Sequence, residues 1–287
     1  MPDAAGTPTP RRQPKPAKRD IGGRPLKPST LMMGYGYDPV LSEGSLKAPI
    51  FLTSTFAFES AAAGKRHFEG ITGLREGGAE GLVYSRFNGP NQEILEARLA
   101  VWDGADDALT FSSGMTAICI LMMAYASAND VIVHSGPLYA ASEGFVAKVL
   151  SRFGVTYVDF PAGATRAELD AVLAKAKAQA ATRGGKVAMI YLESPANPTN
   201  ALVDVEAVRD ARDAALAGTP IAIDNTVPLD KDVIGKLHCL QGSLTPVFFS
   251  VLTGVRVFES KPIGRCGVEG GQLGSGQAGI EGCVLPR

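Results

Sequence analysis

The turn at residues 112–115 is the first feature of the sequence that could bind a ligand. Ser112, Ser113, Gly114 and Met115 join a predicted strand to an apolar helix. The first backbone N–H groups of a helix have no partner inside it, and the helix dipole adds partial positive charge there. The turn therefore predicts an anion site that suits a phosphate. The alternative is that Gly114 serves only the geometry of a strand-to-helix turn.

Two further features follow later predicted strands. Tyr139 comes after His134-Ser135-Gly136-Pro137, where an exposed aromatic ring could stack on a flat ligand or simply pack at the start of a helix. Residues 193–199 form a loop in which Pro195 and Pro198 restrict the backbone. Because each proline fixes its own φ angle, this loop is more rigid than a plain connection requires.

Asp224 is the fourth feature, because it ends the apolar run Ile221-Ala222-Ile223 with a carboxylate. An acidic residue at a strand end often caps a helix, but no helix pattern follows here. Together these features suit a ligand with a phosphate, an aromatic ring and a ring nitrogen that a buried carboxylate keeps protonated. Pyridoxal 5'-phosphate has all three. This cofactor then acts as an electron sink for carbanions. The four features together predict a site for it.

The segments that position these features alternate between strand and helix patterns. Apolar runs predict strands at residues 108–111, 130–134, 155–160, 187–192 and 221–224. Helical spacing and caps predict helices at residues 91–102, 115–125, 138–153 and 204–216. The capping box of Thr165 and Glu168 predicts the start of a further helix. This alternation predicts an α/β fold with a mainly parallel sheet and helices on both faces. Ligands bind such sheets at the carboxyl ends of the strands, which would bring the four features together.

Residues 31–226 resemble the Cys/Met-metabolism family of pyridoxal-phosphate enzymes, which includes cystathionine γ-synthase and cystathionine γ-lyase. The similarity is greatest to cystathionine γ-synthase-like members and implies the large domain of fold type I. Five blocks in the family's order carry it: Tyr84-Ser85-Arg86-Phe87-Asn88-Gly89-Pro90, Ser112-Ser113-Gly114-Met115, Pro137-Leu138-Tyr139, Glu193-Ser194-Pro195-Ala196-Asn197-Pro198-Thr199 and Asp224-Asn225-Thr226.

The resemblance implies a role in cofactor binding for nine residues. Those that would contact the phosphate are Gly114 and Met115, together with Tyr84 and Arg86 from a neighbouring subunit. Those that would hold the ring are Tyr139 by stacking, Asn197 at the ring hydroxyl and Asp224 at the ring nitrogen. Ser113 and Thr226 complete the nine without a specific contact. Because Tyr84 and Arg86 would act across subunits, the resemblance also implies a homo-oligomer, either a dimer or a tetramer.

The family catalyses elimination or replacement at the γ or β carbon of sulfur amino acids and activated homoserines, the reactions of transsulfuration. These compounds are therefore the expected substrates. Methionine γ-lyases usually carry a cysteine two residues after the stacking tyrosine. Ala141 occupies that position here, which favours the other branches.

The Schiff-base lysine that the resemblance predicts after residue 226 is absent from the sequence. Ser243-Leu244-Thr245-Pro246 imitates its Ser-x-Thr-Lys motif but has proline in place of lysine. Lys231 and Lys236 are too close to Asp224, and Lys261 has no matching neighbours. No catalytic residue is therefore assigned. The alternative to an enzyme is a truncated remnant or pseudoenzyme that binds only the cofactor or a homologous subunit.

Composition divides the chain into four segments. Residues 1–30 are rich in proline and basic residues and should be a disordered tail. Residues 31–81 are expected to form an arm that docks on a partner subunit, and residues 82–226 the pyridoxal-phosphate domain. Residues 227–287 form an atypical tail with many glycines, interpreted as a frame-shifted or otherwise unrelated terminus on a truncated enzyme that lacks the family's C-terminal domain.

The overall composition, 45% hydrophobic with a formal net charge of -1, is that of an ordinary soluble protein. No apolar stretch approaches the roughly 18 residues that cross a bilayer, so no membrane association is expected. The histidines and cysteines lack the spacing of a metal or redox site, which predicts no metal and a cytoplasmic location. Nucleic-acid binding through the basic tail is disfavoured, because no aromatic residues are interspersed among its charges.

Overall fold

The computed structural model describes residues 19–75, 81–103, 105 and 107–226, and the backbone of residues 245–251 and 253–259. The described residues up to Trp102 belong to one compact unit, and those from Asp103 onward belong to a second. Residues 1–18 of the predicted tail, the glycine-rich segment near the C-terminus, and Lys231, Lys236 and Lys261 lie outside the described residues.

Most elements of the first unit are short and were not predicted from the sequence, whereas α3 corresponds to the helix predicted over residues 91–102. Within the segment expected to be disordered, the two-residue strands β1 and β2 pair antiparallel and form a short hairpin. Farther on, the Ser60 hydroxyl accepts a hydrogen bond from the Ala63 N–H at 3.1 Å and so caps α2. The elements are β1 (Asp20–Ile21), β2 (Arg24–Pro25), α1 (Pro28–Leu31), a 3₁₀ turn (Pro39–Ser42), α2 (Ala61–Ile71) and α3 (Pro90–Asp103).

The second unit is built on a seven-stranded sheet in the order β3-β8-β9-β7-β6-β4-β5. All neighbouring pairs are parallel except those of β9, which runs antiparallel to β7 and β8. The strands are β3 (Asp107–Leu109), β4 (Val131–Gly136), β5 (Thr156–Pro161), β6 (Val187–Glu193), β7 (Ile221–Asn225), β8 (Thr245–Val251) and β9 (Thr253–Glu259). The mainly parallel α/β sheet that the sequence predicts is therefore confirmed.

Helices cover both faces of this sheet. They are α4 (Gly114–Tyr125), α5 (Ala140–Gly144), α6 (Arg166–Thr182) and α7 (Val205–Ala215). One core packs α6 and α7 against alternate residues of β4 to β7, including Val133, Ile190 and Ile223. The other core packs α4 and the segment after β4 against the opposite face, which carries Ile132 and Tyr191. Burial on both faces explains why these strands are apolar at nearly every position.

Two regions differ in detail from the sequence-based prediction. The helix expected over residues 138–153 is α5 followed by a π-helical turn (Phe145–Val149) and a 3₁₀ turn (Leu150–Phe153). Strands β8 and β9 lie in the segment interpreted as an atypical tail, to which the sequence patterns assigned no strand. None of the helices in the described part of the chain is long and apolar enough to cross a membrane.

Replacement of Leu173 tests the core between α6 and the sheet. Leu173 is 1% exposed within that core, so we expect Leu173→Ala to lower the free energy of unfolding by about 2–5 kcal/mol. Leu202 is 53% exposed, and Leu202→Ala is the matched control, expected to change it by about 0.5 kcal/mol or less. Denaturant unfolding of the full chain measures both, and equal losses would contradict this packing.

Candidate cofactor site

The N-terminus of α4 presents the predicted anion site. The Ser113 hydroxyl accepts a hydrogen bond from the Thr116 N–H at 3.1 Å and caps the helix. The N–H groups of Gly114 and Met115 precede the first intrahelical bond, and they have no acceptor within the described residues. The structure thus places Ser113, Gly114 and Met115 together with two backbone donors available to an anion.

Glu193 connects the two loops that carry Tyr139 and Asn197. One carboxylate oxygen accepts a hydrogen bond from the Tyr139 N–H at 2.7 Å, and the other accepts from the Asn197 N–H at 2.7 Å. Glu193 is 4% exposed at the end of β6, whereas Tyr139 is 42% exposed. The buried carboxylate therefore fixes the backbone of both loops while the Tyr139 ring and the Asn197 side chain remain accessible.

Asp224 lies beside Glu193, because the two residues are register partners on the parallel strands β6 and β7. It is 4% exposed. Its Oδ1 accepts hydrogen bonds from the Thr226 N–H at 3.0 Å and from the Thr226 hydroxyl. Its Oδ2 accepts one from the Tyr191 hydroxyl at 3.2 Å. These donors hold the carboxylate in one orientation at the carboxyl edge of the sheet.

Burial and neighbouring negative charge raise the pKa values of Tyr191 and Glu193. Burial raises the pKa of Tyr191 well above its ordinary value, and the negative charges of Asp224 and Glu193 raise it further. Burial also raises the pKa of Glu193. The N–H donors of Tyr139 and Asn197 oppose that rise, and the charge of Asp224 adds to it. Tyr191 is therefore a neutral hydrogen-bond donor over the whole physiological pH range.

Glu193 and Tyr191 are site residues that the sequence patterns did not indicate. Glu193 belongs to one of the blocks that carry the family resemblance, but its function depends on two backbone N–H groups whose positions the sequence does not reveal. Tyr191 precedes it by two residues and so points to the same face of β6. The separation of two residues between Tyr191 and the acidic residue at the end of β6 was the one sequence signal for its place in the site.

Tyr84 and Arg86 belong to the first unit. The backbone around Tyr84 pairs with Thr55 in an isolated antiparallel bridge. The Arg86 guanidinium lies 5.6 Å from the Tyr84 ring centroid and 5.0 Å from that of Phe87, both within the range of a cation–π contact. Arg86 makes no ion pair in the part of the chain that the structure describes. The two residues thus lie together, in a different unit from the other predicted site residues.

The residues of the second unit fit pyridoxal 5'-phosphate. Gly114 and Met115 offer backbone donors for a phosphate at a helix N-terminus. Tyr139 offers an accessible ring face. Asp224 offers a buried carboxylate that its neighbours already hold in place. These are the donor and acceptor types that the phosphate, ring and ring nitrogen of the cofactor require.

Comparison with known proteins identifies the family. A family model described as "Cys/Met metabolism PLP-dependent enzyme" matches residues 29–229. The chain belongs to this family. Pyridoxal phosphate, which the site residues fit, is the cofactor on which the family depends.

Three curated relatives illustrate the range of activities in the family. The L-methionine gamma-lyase of Pseudomonas deceptionensis is 33% identical over 204 residues, which cover 69% of this chain and 45% of that protein. The L-methionine gamma-lyase of Treponema denticola is 35% identical over 204 residues, which cover 68% of this chain and 46% of that protein. The O-succinylhomoserine sulfhydrylase of Pseudomonas aeruginosa is 31% identical over 183 residues, which cover 64% of this chain and 40% of that protein. The chain spans about half the length of the curated relatives it matches.

Solved structures show the same fold. A Campylobacter jejuni protein described as an O-acetylhomoserine (thiol)-lyase, crystallised with N'-pyridoxyl-lysine-5'-monophosphate, matches with a TM-score of 0.60 at 20% identity. That match covers 82% of this chain and 54% of the other. The metB protein of Corynebacterium glutamicum matches with a TM-score of 0.54 at 23% identity. This match covers 76% of this chain and 59% of the other. Together with the family match, these structures assign the chain to fold type I.

Replacement of Tyr191 by Phe should change how stability depends on pH. The variant leaves Asp224 Oδ2 without its donor, which should cost about 1–3 kcal/mol near neutral pH. The raised pKa of Tyr191 favours the neutral phenol in the folded state, so above pH about 10 only the unfolded chain ionises it. The free energy of unfolding of the wild type should therefore fall toward that of Tyr191→Phe as the pH rises above about 10.

Denaturant unfolding at successive pH values measures this difference. Tyr157→Phe is the matched control, because it removes a phenol that is 40% exposed on the same sheet. A constant difference between the wild type and Tyr191→Phe over the alkaline range would contradict the role assigned to burial and to the charge of Asp224.

Glutamine at position 193 should weaken the connection between the two loops. It provides one acceptor oxygen where Glu193 provides two, and its amide N–H₂ would face an N–H donor. We expect Glu193→Gln to lower the free energy of unfolding by about 1–3 kcal/mol. Glu206→Gln, at an exposed position of α7, should lower it by about 0.5 kcal/mol or less. Equal effects of the two substitutions in denaturant unfolding would show that Glu193 does not hold the loops.

Proposed function

We propose that the second unit binds pyridoxal 5'-phosphate at the carboxyl edge of its sheet. The cofactor phosphate lies at the N-terminus of α4, where it accepts hydrogen bonds from the N–H groups of Gly114 and Met115, beside Ser113. The two free backbone donors and the helix dipole support this assignment.

The pyridine ring in this proposal lies between Tyr139 and the sheet. Tyr139 stacks on the ring, Asn197 contacts the ring hydroxyl, and Asp224 accepts a hydrogen bond from the protonated ring nitrogen, with Thr226 beside it. The observation that carries the proposal is the burial of the Asp224 carboxylate between the donors of Tyr191 and Thr226. Asp224 forms no ion pair within the described residues, and a buried carboxylate in that state is suited to hold a cation.

The protein residues divide the work of holding the cofactor. Bound pyridoxal phosphate supplies an electron sink for carbanions formed next to its attached nitrogen. The negative charge of Asp224 stabilises the proton on the ring nitrogen, which that chemistry requires. Tyr191 and Thr226 fix the orientation of this carboxylate, and Glu193 fixes the backbones that carry Tyr139 and Asn197.

We further propose that the substrates are sulfur amino acids or activated homoserines, which undergo elimination or replacement in transsulfuration. The curated relatives are named as methionine gamma-lyases and as a homoserine sulfhydrylase, so the proposed chemistry matches that of the family. A cystathionine γ-synthase-like reaction is the specific form we favour, because Ala141 replaces the cysteine typical of methionine γ-lyases. The scattered cysteines favour the cytoplasm as the location of this reaction.

A second copy of the chain is the proposed partner. In a homo-oligomer, Tyr84 and Arg86 of one subunit contact the phosphate bound by another. Arg86 has no ion-pair partner among the described residues, so its charge is available for a phosphate. In the expected docking arm, Ile50 is 80% exposed and Leu52 is 94% exposed, which suits burial against another subunit.

The competing proposal is a protein that binds the cofactor without catalysis. The Schiff-base lysine motif of the family is not recognisable in the sequence, since the similar run Ser243-Leu244-Thr245-Pro246 has proline in place of lysine. A lysine of this kind also moves protons, and its loss would remove both the covalent attachment and the proton transfers.

Borohydride treatment of purified protein with added pyridoxal phosphate separates the two proposals. In an enzyme with a reactive lysine, reduction attaches the cofactor to the chain and peptide mass spectrometry locates the lysine. In the non-catalytic protein, the visible absorbance of the cofactor is removed by dialysis, and no lysine carries a pyridoxyl group.

Asparagine at position 224 should weaken cofactor binding under either proposal. The substitution removes the negative charge from the buried site, so we expect the dissociation constant of pyridoxal phosphate to rise about tenfold or more. Asp210→Asn makes the same chemical change on the exposed surface of α7 and should leave it unchanged. Titration by cofactor absorbance measures both constants. An unchanged dissociation constant in Asp224→Asn would exclude the proposed contact with the ring nitrogen.

A further inference from the structure

A second cleft lies near the edge of the sheet, where β4 and β5 end. Its volume is about 370 Å³, and its walls include His134, Leu138, Glu143, Tyr157 and Asp159. None of the nine residues proposed to bind the cofactor lines this cleft. A cleft of this size can hold a small organic molecule.

His134 is a buried polar residue with an unused nitrogen at this cleft. Its side chain is 4% exposed, and its Nδ1 lies 2.9 Å from the backbone carbonyl oxygen of Ser135. Since that oxygen can only accept, Nδ1 carries the proton and Nε2 of the neutral ring is an acceptor. Nε2 has no hydrogen-bond partner within the described part of the chain. A buried acceptor in this state favours a ligand that donates a hydrogen bond.

Two carboxylates in the same cleft add to this preference for donors. Asp159 is the register partner of His134 on β5, and Glu143 lies on α5. Both are exposed, and neither side chain forms an ion pair in the described residues. No lysine or arginine is among the described residues that line the cleft. The polar groups that face a ligand are therefore mostly acceptors, and the local charge is negative.

Aromatic and apolar side chains complete the walls. The Tyr157 ring lies 5.3 Å from the His134 ring between centroids and is 40% exposed, so one face is accessible to a ligand cation. The exposed prolines Pro137 and Pro161 supply apolar surface. Within the described residues, no group of three His, Cys, Asp or Glu side chains could hold a metal ion. An organic cation with a short apolar part matches this combination better than a metal does.

We propose that this cleft binds a small organic cation through a guanidinium or primary ammonium group. The cationic group donates hydrogen bonds to His134 Nε2 and to the carboxylates of Asp159 and Glu143, and it lies against the Tyr157 ring. The apolar part of the ligand packs on Pro137 and Pro161. Because the lining residues differ from those of the cofactor site, this binding does not require pyridoxal phosphate.

n-Butylguanidinium is a suitable probe because it carries several N–H donors and does not condense with an aldehyde as a primary amine does. Butylurea is its neutral isostere, and butyrate is an anion of similar size. With the full chain, we expect saturable binding of n-butylguanidinium with a dissociation constant on the order of 1 mM by ligand-observed NMR. Butylurea and butyrate should bind at least about tenfold more weakly. Equal binding of all three compounds, or no saturation with n-butylguanidinium, would overturn the proposal.

Variants locate the probe in the cleft. Asp159→Asn removes one exposed charge without altering the core and should weaken n-butylguanidinium binding about three- to tenfold. Tyr157→Leu should weaken it through loss of the ring face. Glu206→Gln removes a charge elsewhere, and Asp224→Asn alters the cofactor site, so both should bind the probe as the wild type does. Unchanged binding in Asp159→Asn, or loss of binding in Asp224→Asn, would refute the assignment to this cleft.

Discussion

The site depends on the burial of two carboxylates side by side at the ends of β6 and β7. Glu193 and Asp224 are register partners and each is 4% exposed, so each must be stabilised by hydrogen bonds rather than by water. Two backbone N–H groups stabilise Glu193, and side-chain and backbone donors of Tyr191 and Thr226 stabilise Asp224. Those same bonds fix the loops of the site, and they leave Asp224 as the carboxylate suited to a ring nitrogen.

Much of the second unit could be predicted from sequence, because its strands are buried on both faces and are therefore apolar at nearly every position. Asp224 could be found because it ends such a strand. The function of Glu193 could not, since its partners are backbone groups, one of them 54 residues away in sequence. The pairing of His134 with Asp159 likewise depends on strand register. Strands β8 and β9 lie in a segment whose composition resembled a tail.

The family match covers residues 29–229, and the relatives are about twice as long as the matched region. The part that matches contains the residues proposed to hold the cofactor, whereas the lysine that the family resemblance predicts would lie beyond Asp224. In the proposed function, cofactor binding therefore depends on the strand ends that the structure describes, and turnover would depend on a lysine for which the sequence shows no matching motif.

The central claim is that Asp224 keeps the pyridine nitrogen of bound pyridoxal phosphate protonated. The most direct measurement is the ¹⁵N NMR chemical shift of ring-labelled pyridoxal phosphate bound to the full chain at a mildly alkaline pH. A carboxylate at hydrogen-bond distance predicts the shift of a protonated pyridinium under conditions in which the free cofactor is neutral. A bound cofactor with the shift of a neutral pyridine would contradict the account.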